Sequence, residues 1–439
     1  MDNLHGDLVQ NILLLVARLL GKIRHRTHAD ATMDLSPTPR RYVFVFSQQH
    51  LNFRLAELES VSSLFNIRLS HVSDVEKAHV CVVEAESDAD VQTLLSRSML
   101  LRSAYELLAE ADTYEQFFEL VEKEKASFQR FNDPTQSFAF RLRKNGRKAD
   151  SAYVKKKIHE LGGALPLEKA VVELDNPTNV FTLVEEFTEK NKTSCPDKVY
   201  FGRWNVFTLV EEFTEKNKTS CPDKVYFGRW IGDGQGSLKA VYNLQDRVYI
   251  GNTTMDPELA FIQANIIKAG VGSLVLDPFC GTGGLVLPAA HFGSAVFGTE
   301  INYMIAKARG KSSRQGVKYL TEKESLQANF DQYGTTHLFQ SLVIADASRH
   351  GLWNSPSSSG IFDALIADPP YGVREKCAKV GRKEPKEGWI ETSTIHPQRF
   401  PEKSKYDLCD VFLDLLNLAA RVLVVGGRVA YWFPVFPEE

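Results

Sequence analysis

Residues 361–371 read IFDALIADPPY, and this stretch decides the fold class of the chain. After Asp363 the run is apolar and uncharged as far as residue 367, which is the pattern of a strand buried on both faces of a parallel sheet. Pro369 and Pro370 cannot continue a strand ladder, so the backbone turns out at the carboxyl end of the strand. Ligands bind at that edge of open α/β sheets, which predicts a functional role for Asp368 and Tyr371. A purely structural Pro-Pro turn is the alternative for this tetrapeptide taken alone.

The sequence around this stretch alternates between strands and helices. Short apolar strands that are separated by helical patterns are predicted at 274–276, 295–299, 342–345 and 428–433. Repeated strand–helix units predict a doubly wound, Rossmann-like parallel α/β sheet from residue 231 onward.

The N-terminal third of the chain has a different pattern. Strands are predicted at 42–46 and 78–83, and helices at 50–65, 91–101 and 103–120. This order predicts a smaller α+β module.

A glycine-rich stretch, DPFCGTGG at residues 277–284, ends the first strand of the predicted parallel sheet. Its glycines let the backbone pass close to a ligand, at a place where a side chain would block the approach. The spacing differs from G-x-G-x-x-G, so a nicotinamide or flavin dinucleotide is not indicated. No Gly-Lys-Ser/Thr follows, which excludes a phosphate-binding P-loop.

Four acids end four successive strands of this sheet: Asp277, Glu300, Asp346 and Asp368. An ionised carboxylate only accepts hydrogen bonds, so Glu300 suits two ribose hydroxyls and Asp346 suits an adenine amino group. Helix capping explains any one of these acids but explains all four poorly. Together with the glycines, they predict a nucleoside pocket that has no phosphate site.

Composition limits where partners can bind. The net charge is −3 over 439 residues, so any basic surface must be local. The six cysteines include no Cys-x-x-Cys pair, which argues against a metal site in this chain and predicts a reducing compartment, the cytoplasm. Residues 8–20 are too short an apolar run to span a bilayer.

One local basic run is a candidate RNA-binding surface. It consists of Arg141, Arg143, Lys144, Arg147 and Lys148. The run lies on a predicted strand and its following helix, with aromatic residues between the charges, and so favours contact with a nucleic-acid backbone. A solvated surface is the alternative.

A 26-residue segment occurs twice without a single difference, at 179–204 and at 205–230. Solenoid repeats diverge and need three or more copies, so we expect one copy to fill the fold and the other to loop out. A recent duplication or an assembly error would account for the pair. The chain also ends soon after the fifth predicted strand, and we expect an open, apolar sheet edge there.

The glycine loop followed by Asp-Pro-Pro-Tyr resembles the class I S-adenosylmethionine-dependent methyltransferases that act on amino groups of nucleic acids. Residues 226–230, YFGRW, and 50–57, HLNFRLAE, extend the resemblance to the family of THUMP-containing tRNA guanosine-10 N2-methyltransferases. It implies an N-terminal α+β and THUMP-like RNA-binding module at 41–178, a linker at 179–230 and a methyltransferase domain at 231–439, which we expect to be truncated at its C-terminus. An N-terminal extension at 1–40 lies outside the family pattern.

The resemblance also implies the ligands and roles. S-adenosylmethionine would be the cofactor, tRNA the substrate and a small zinc-containing activator subunit the partner, with no membrane association. Asp368, Pro369, Pro370 and Tyr371 would form the catalytic centre, where Asp368 and the Pro369 carbonyl accept hydrogen bonds from the target amine and Tyr371 stacks on the base. The residues implied to hold the cofactor are Thr253, Thr254, Asp277, Phe279, Gly281, Gly283, Glu300 and Asp346. The rival functions are a DNA amino-methyltransferase, which shares Asp-Pro-Pro-Tyr, and an RNA-binding scaffold made inactive by truncation.

Overall fold

The computed structural model describes residues 39–70, 75, 78–145, 150–186, 198–201, 209–212, 224–353, 360–372, 376–381 and 402–433. The chain divides into two compact units. The N-terminal unit contains the described residues of 39–247 and 256–268, and the C-terminal unit contains residues 248–255 and the described residues of 269–433. Among the helices of the described ranges, none is long and apolar enough to cross a membrane.

An eight-stranded mixed sheet organises the N-terminal unit, in the order β2-β3-β1-β4-β10-β7-β5-β6. Its strands are β1 (Arg40–Phe46), β2 (Leu69–Ser70), β3 (Val80–Ala85), β4 (Leu101–Ala111), β5 (Ser137–Asn145), β6 (Val171–Val172), β7 (Asn179–Glu186) and β10 (Lys224–Asp233). A separate pair consists of β8 (Lys198–Phe201) and β9 (Leu209–Glu212). The helices are α1 (Arg54–Leu64), α2 (Asp88–Leu95), α3 (Tyr114–Lys123), α4 (Lys125–Phe128), α5 (Ser151–Ala164), α6 (Leu238–Val241) and α7 (Pro257–Ile266).

Both faces of this sheet are packed near its centre. Alternate residues of β1 belong to different buried clusters, Tyr42 and Phe44 to one and Val43 and Val45 to another. Successive strand residues point to opposite faces, so a strand that is buried on both faces reads as an unbroken apolar run.

The helix expected at 103–120 is wrong over its first half. Residues 101–111 form β4, which pairs with β1 on one side and with β10 on the other. A helix, α3, begins only after Thr113, whose hydroxyl accepts a hydrogen bond from the Gln116 backbone amide. Leu, Ala and Glu favour helices, but pairing on both edges outweighs that weak preference.

The duplicated segment contributes half of each copy to the sheet. β7 comes from the first copy and β10 from the second, and they pair with Lys224 opposite Glu186 and Phe227 opposite Leu183. The two remaining halves pair with each other as β8 and β9 in the same register, with Lys198 opposite Glu212.

This arrangement differs from the expected single intact copy in the fold. β10 runs on without a break into Ile231–Asp233, and Thr178, just before β7, is held by a hydrogen bond to Ser137. Because both ends of the duplicated segment are continuous with the sheet, the additional residues are accommodated at the turn between β7 and β10. The segment expected as a linker therefore supplies two strands of the sheet.

A five-stranded parallel sheet forms the C-terminal unit, in the order β13-β12-β11-β14-β17. The strands are β11 (Leu274–Asp277), β12 (Ala295–Glu300), β13 (Phe339–Ile344), β14 (Phe362–Ala367) and β17 (Leu423–Tyr431). A short antiparallel ribbon joins β15 (Ala378–Val380) to β16 (Lys403–Lys405). The helices are α8 (Val286–His291), α9 (Tyr303–Ala306), α10 (Leu326–Gln332) and α11 (Leu408–Val422). The predicted doubly wound α/β fold is confirmed.

Two features of this sheet position the site. Phe362 and Leu365 of β14 pack with Phe412 and Leu415 of α11 in one buried cluster, which holds β14 against that helix. The strand order reverses between β11 and β14, because β12 and β13 follow β11 on one side while β14 lies on the other. Such a reversal opens a crevice at the carboxyl ends of the strands.

Candidate active site

A cavity of about 1360 Å³ opens at this crevice, lined entirely by residues of the C-terminal unit. It brings together most of the predicted site residues: Thr253, Thr254, Asp277, Phe279, Gly281, Glu300, Asp346, Asp368, Pro370 and Tyr371. Of the predicted residues, Pro369 and Gly283 are not among those that line it. The acid-ended strands and the glycine loop thus converge on one site.

Asp277 is the most deeply buried acid of the cavity, with 1% of its surface exposed. Its carboxylate accepts a hydrogen bond from the Phe279 amide at 2.9 Å. Burial raises the pKa of Asp277 well above its usual value, and the nearby charges of Asp368 and Glu300 raise it further. A cation placed among these acids would relieve that repulsion.

Glu300 connects the second strand to the glycine loop. One carboxylate oxygen accepts the Gly281 amide at 3.0 Å, and the other accepts the Asn302 amide at 2.6 Å. Each carboxylate oxygen has further lone pairs, so these bonds orient the group and leave acceptor capacity towards the cavity.

Asp346 connects the third strand to the β15–β16 ribbon. One of its oxygens accepts the Ser348 amide at 2.9 Å, and the other accepts the Val380 amide at 2.6 Å. This second bond could not be predicted from the sequence, because Val380 lies 34 residues further along the chain. Asp346 therefore belongs to the wall of the cavity and also anchors the ribbon.

The Asp-Pro-Pro-Tyr turn is held by two internal contacts. The Tyr371 hydroxyl donates to Asp368 at 2.7 Å, and the Cys377 thiol donates to the Pro370 carbonyl at 2.8 Å. Burial raises the pKa of Tyr371, and the hydrogen bond to Asp368 adds to the effect. The phenol is therefore a stable donor at neutral pH, and it orients the carboxylate.

Gly283 has a role in the backbone of the loop. Its φ is +83°, and a β-carbon there would lie 2.3 Å from a methyl group of Leu326. The left-handed backbone therefore favours glycine, and any β-carbon here would also push the Leu326 side chain aside. This accounts for a predicted cofactor residue that does not line the cavity.

A further residue of the site, Asn329 of α10, was not found from the sequence. Its buried amide accepts the Tyr249 backbone amide at 2.8 Å and donates to the Tyr249 carbonyl at 2.8 Å and to the Thr282 carbonyl at 3.2 Å. Thr254 and Thr282 add a bond between their hydroxyls at 3.0 Å. These contacts hold residues 248–255 beside the glycine loop. The available signal was the position of Asn329 between the apolar residues Ala328 and Phe330.

The basic run lies in the N-terminal unit, on β5 and beyond it. Arg141 is exposed, whereas Arg143 donates to Ser103 and Tyr105. Lys144 lies 3.7 Å from Glu185 and 3.5 Å from the ring centre of Tyr153. Arg147 and Lys148 fall outside the described residues. Within the described part of the run, only Arg141 is both exposed and without an intramolecular partner.

Comparison with known proteins matches each half of the chain to a known domain family. Residues 40–206 match the Tmrp11 THUMP N-terminal domain, and residues 245–383 match the RMKL-like methyltransferase domain. The human protein named tRNA (guanine(10)-N(2))-methyltransferase TRMT11 is 33% identical over 427 residues, which cover 93% of this chain and 82% of the human one.

Two more distant proteins align over most of the chain. The Saccharomyces cerevisiae tRNA (guanine(10)-N(2))-methyltransferase is 27% identical over 410 residues, which cover 90% of this chain and 84% of the yeast one. The solved structure of TrmN from Thermus thermophilus aligns with a TM-score of 0.37 and 15% identity, over 76% of this chain and 80% of that one. On the identity and coverage of the human relative, the chain belongs to the family of THUMP-containing tRNA (guanine(10)-N(2))-methyltransferases.

Proposed function

We propose that this chain transfers a methyl group from S-adenosylmethionine to the exocyclic N2 amine of a guanosine in tRNA, at position 10. The proposal rests on one observation: Asp368, three further acids and the glycine loop line the same cavity. The chain that contains this cavity belongs to the family described above.

The residues of the cavity fit the cofactor. S-adenosylmethionine carries a sulfonium and an ammonium group, and the cavity contains a buried acid, Asp277, whose pKa is raised partly by neighbouring acids. The positive charges of the cofactor would compensate this cluster of carboxylates. When bound, the cofactor supplies an electrophilic methyl group.

We assign the holding of the cofactor to the walls of the cavity. Glu300 would accept hydrogen bonds from the ribose and Asp346 from the adenine amine, each with the lone pairs that their backbone contacts leave available. Thr253 and Thr254 would lie at the methionine end. Phe279 and the backbone at Gly281 would form the part of the cavity wall that contacts the adenosine.

Asp368 is the centre of the proposed chemistry. Its carboxylate and the Pro369 carbonyl would accept the two hydrogens of the target amine, which aims the nitrogen lone pair at the methyl group. Cys377 already bonds to the Pro370 carbonyl, and Pro369 does not line the cavity in this structure, so a contact between the Pro369 carbonyl and the amine would need a shift of the turn. As positive charge develops on the nitrogen, the Asp368 carboxylate stabilises it, and Tyr371 keeps that carboxylate in place.

We also propose a small zinc-containing activator subunit as partner and the cytoplasm as location. The four described cysteines, Cys81, Cys280, Cys377 and Cys409, are free thiols, which supports a reducing compartment. Among the described residues, no group of three or more His, Cys, Asp or Glu side chains could hold a metal ion.

The test is transfer of labelled methyl groups to tRNA transcripts, followed by nucleoside analysis. We expect N2-methylguanosine at position 10, and more of it when the activator subunit is present. Replacing guanosine 10 by adenosine should remove the product. Methylation of that variant at an unchanged rate, or of DNA in preference to tRNA, would contradict the proposal.

A further inference from the structure

We propose that five cations at the mouth of this cavity form a clamp for the RNA phosphates on both sides of the target nucleotide. They are Arg309, Lys311, Lys376, Lys403 and Lys405, and all five line the cavity. We call them the rim cations. The inference rests on the proposed function, because it takes RNA as the substrate.

The rim cations come from two well-anchored segments. Arg309 and Lys311 follow α9, where the Arg309 amide donates to the Met304 carbonyl at 2.8 Å and the Leu320 amide donates to the Gly310 carbonyl at 3.0 Å. Gly310 has a φ of +99°, which turns the chain between the two cations.

The second segment is the β15–β16 ribbon. Lys403 lies opposite Val380, and Lys405 lies opposite Ala378. Residues two apart on a strand share a face, so both lysines are presented from the same face of the ribbon. The ribbon is fixed to the cavity wall by the bond from the Val380 amide to Asp346. Lys376 precedes the ribbon and is exposed.

The rim cations differ from their neighbour Lys379 in their partners. Lys379, on the other face of the ribbon, lies 3.8 Å from Asp410 and 4.9 Å from the ring centre of Tyr406. None of the five rim cations forms an ion pair or a cation–π contact within the described ranges, and Arg309, Lys311, Lys376 and Lys405 are exposed. Their charges therefore remain available to a ligand.

The chemistry of the two substrates assigns this charge to RNA. The cofactor has no phosphate and one carboxylate, so it needs at most one or two cations. A target base must leave its stack to enter a closed cavity, while the phosphates before and after it stay outside. Cations from two separate segments that line the cavity can contact these phosphates, while the acids of the cavity receive the amine and the cofactor.

The test compares two double variants with a charge-matched control. Lys403→Gln with Lys405→Gln removes the two rim cations of strand β16, and Arg309→Gln with Lys311→Gln removes the two that follow α9. The control, Lys318→Gln with Lys323→Gln, removes two charges from exposed lysines of the same unit that do not line the cavity.

Affinity for a tRNA transcript is measured by filter binding over a series of salt concentrations. Each lost phosphate contact reduces the magnitude of the slope of log affinity against log salt by about 0.7–0.9. Each double variant of the rim should therefore reduce it by about 1.5. The Michaelis constant for tRNA should rise about tenfold near physiological salt, while the control stays within about twofold of the wild type. Calorimetry with S-adenosylhomocysteine should give unchanged affinity, which also shows that the variants are folded.

Two results would overturn the clamp. One is a slope in both rim variants equal to that of the control, which would make these residues a solvated surface. The other is a loss of S-adenosylhomocysteine affinity in a folded variant, which would make them ligands of the cofactor carboxylate. Failure of the proposed function is a separate result, because wild-type protein would then leave tRNA unmethylated whatever the salt slope.

Discussion

The duplicated segment offers a stability experiment with its own matched control. Leu183 of β7 and Leu209 of β9 occupy the same position in the two copies. Leu183 is completely buried in the phenylalanine-rich cluster of the N-terminal unit and lies opposite Phe227. Leu183→Ala should cost about 2–5 kcal/mol of unfolding free energy, the range for removing a leucine side chain from a core. Leu209→Ala should cost at most about 0.5 kcal/mol, because β9 belongs to the separate pair with β8 and not to the eight-stranded sheet.

The assay is thermal unfolding of both variants beside the wild type, followed by tryptophan fluorescence. At about 2–4 °C per kcal/mol, Leu183→Ala should lower the melting temperature of its unit by about 4–20 °C, and Leu209→Ala by no more than about 2 °C. Binding of S-adenosylhomocysteine reports on the C-terminal unit and should stay the same in both.

The identity of the two copies adds a third variant. If the chain can place residues 205–212 in the sheet instead of 179–186, Leu183→Ala alone will cost less than Leu183→Ala combined with Leu209→Ala. In that case the cost of Leu183→Ala alone equals the free-energy gap between the two arrangements, and the cost of the double variant gives the full loss of the buried leucine. Equal losses for the two single variants would refute the assignment of β7 to the first copy.

Three other changes test the remaining features. Deleting 205–230 gives the same sequence as deleting 179–204, and it shortens the connection between β7 and β10 from 37 residues to 11. Because a shorter loop costs less entropy to close, the deletion should stabilise the N-terminal unit by about 1 kcal/mol. A lower melting temperature would contradict this. Asp368→Ala should abolish methyl transfer to tRNA while calorimetry shows cofactor affinity largely intact, whereas near-normal turnover would place the catalytic centre elsewhere. Because the pKa of Asp277 is raised, its carboxyl group is neutral at low pH and ionises as pH increases. Affinity for S-adenosylmethionine should therefore increase with pH, and Asp277→Asn should flatten this increase. S-adenosylhomocysteine, whose sulfur carries no charge, should show a weaker increase.

The parallel sheet was predictable because four of its strands are short apolar runs that end in acids. This pattern is local in the sequence and can be recognised without knowing which strands pair. The same reasoning failed at 101–111, where residues with helical preference form a strand because β1 and β10 pair with it on both sides. Asn329 could not be found, since its role is to complete backbone hydrogen bonds of a segment 80 residues earlier. The sequence pattern therefore predicted which residues line the cavity, while the contacts that support them depend on the fold.

The position of Asp346 predicts that binding of the cofactor and binding of tRNA are coupled. Its carboxylate faces the cavity and also holds the ribbon that carries Lys403 and Lys405. We expect cofactor binding to steady the ribbon and so to favour RNA binding. By thermodynamic linkage, tRNA must then increase cofactor affinity by the same factor, and couplings of this kind are commonly about 5- to 150-fold. Measuring tRNA affinity with and without S-adenosylhomocysteine, in the wild type and in Asp346→Asn, tests this coupling: equal affinities in the wild type would show that the two sites are independent.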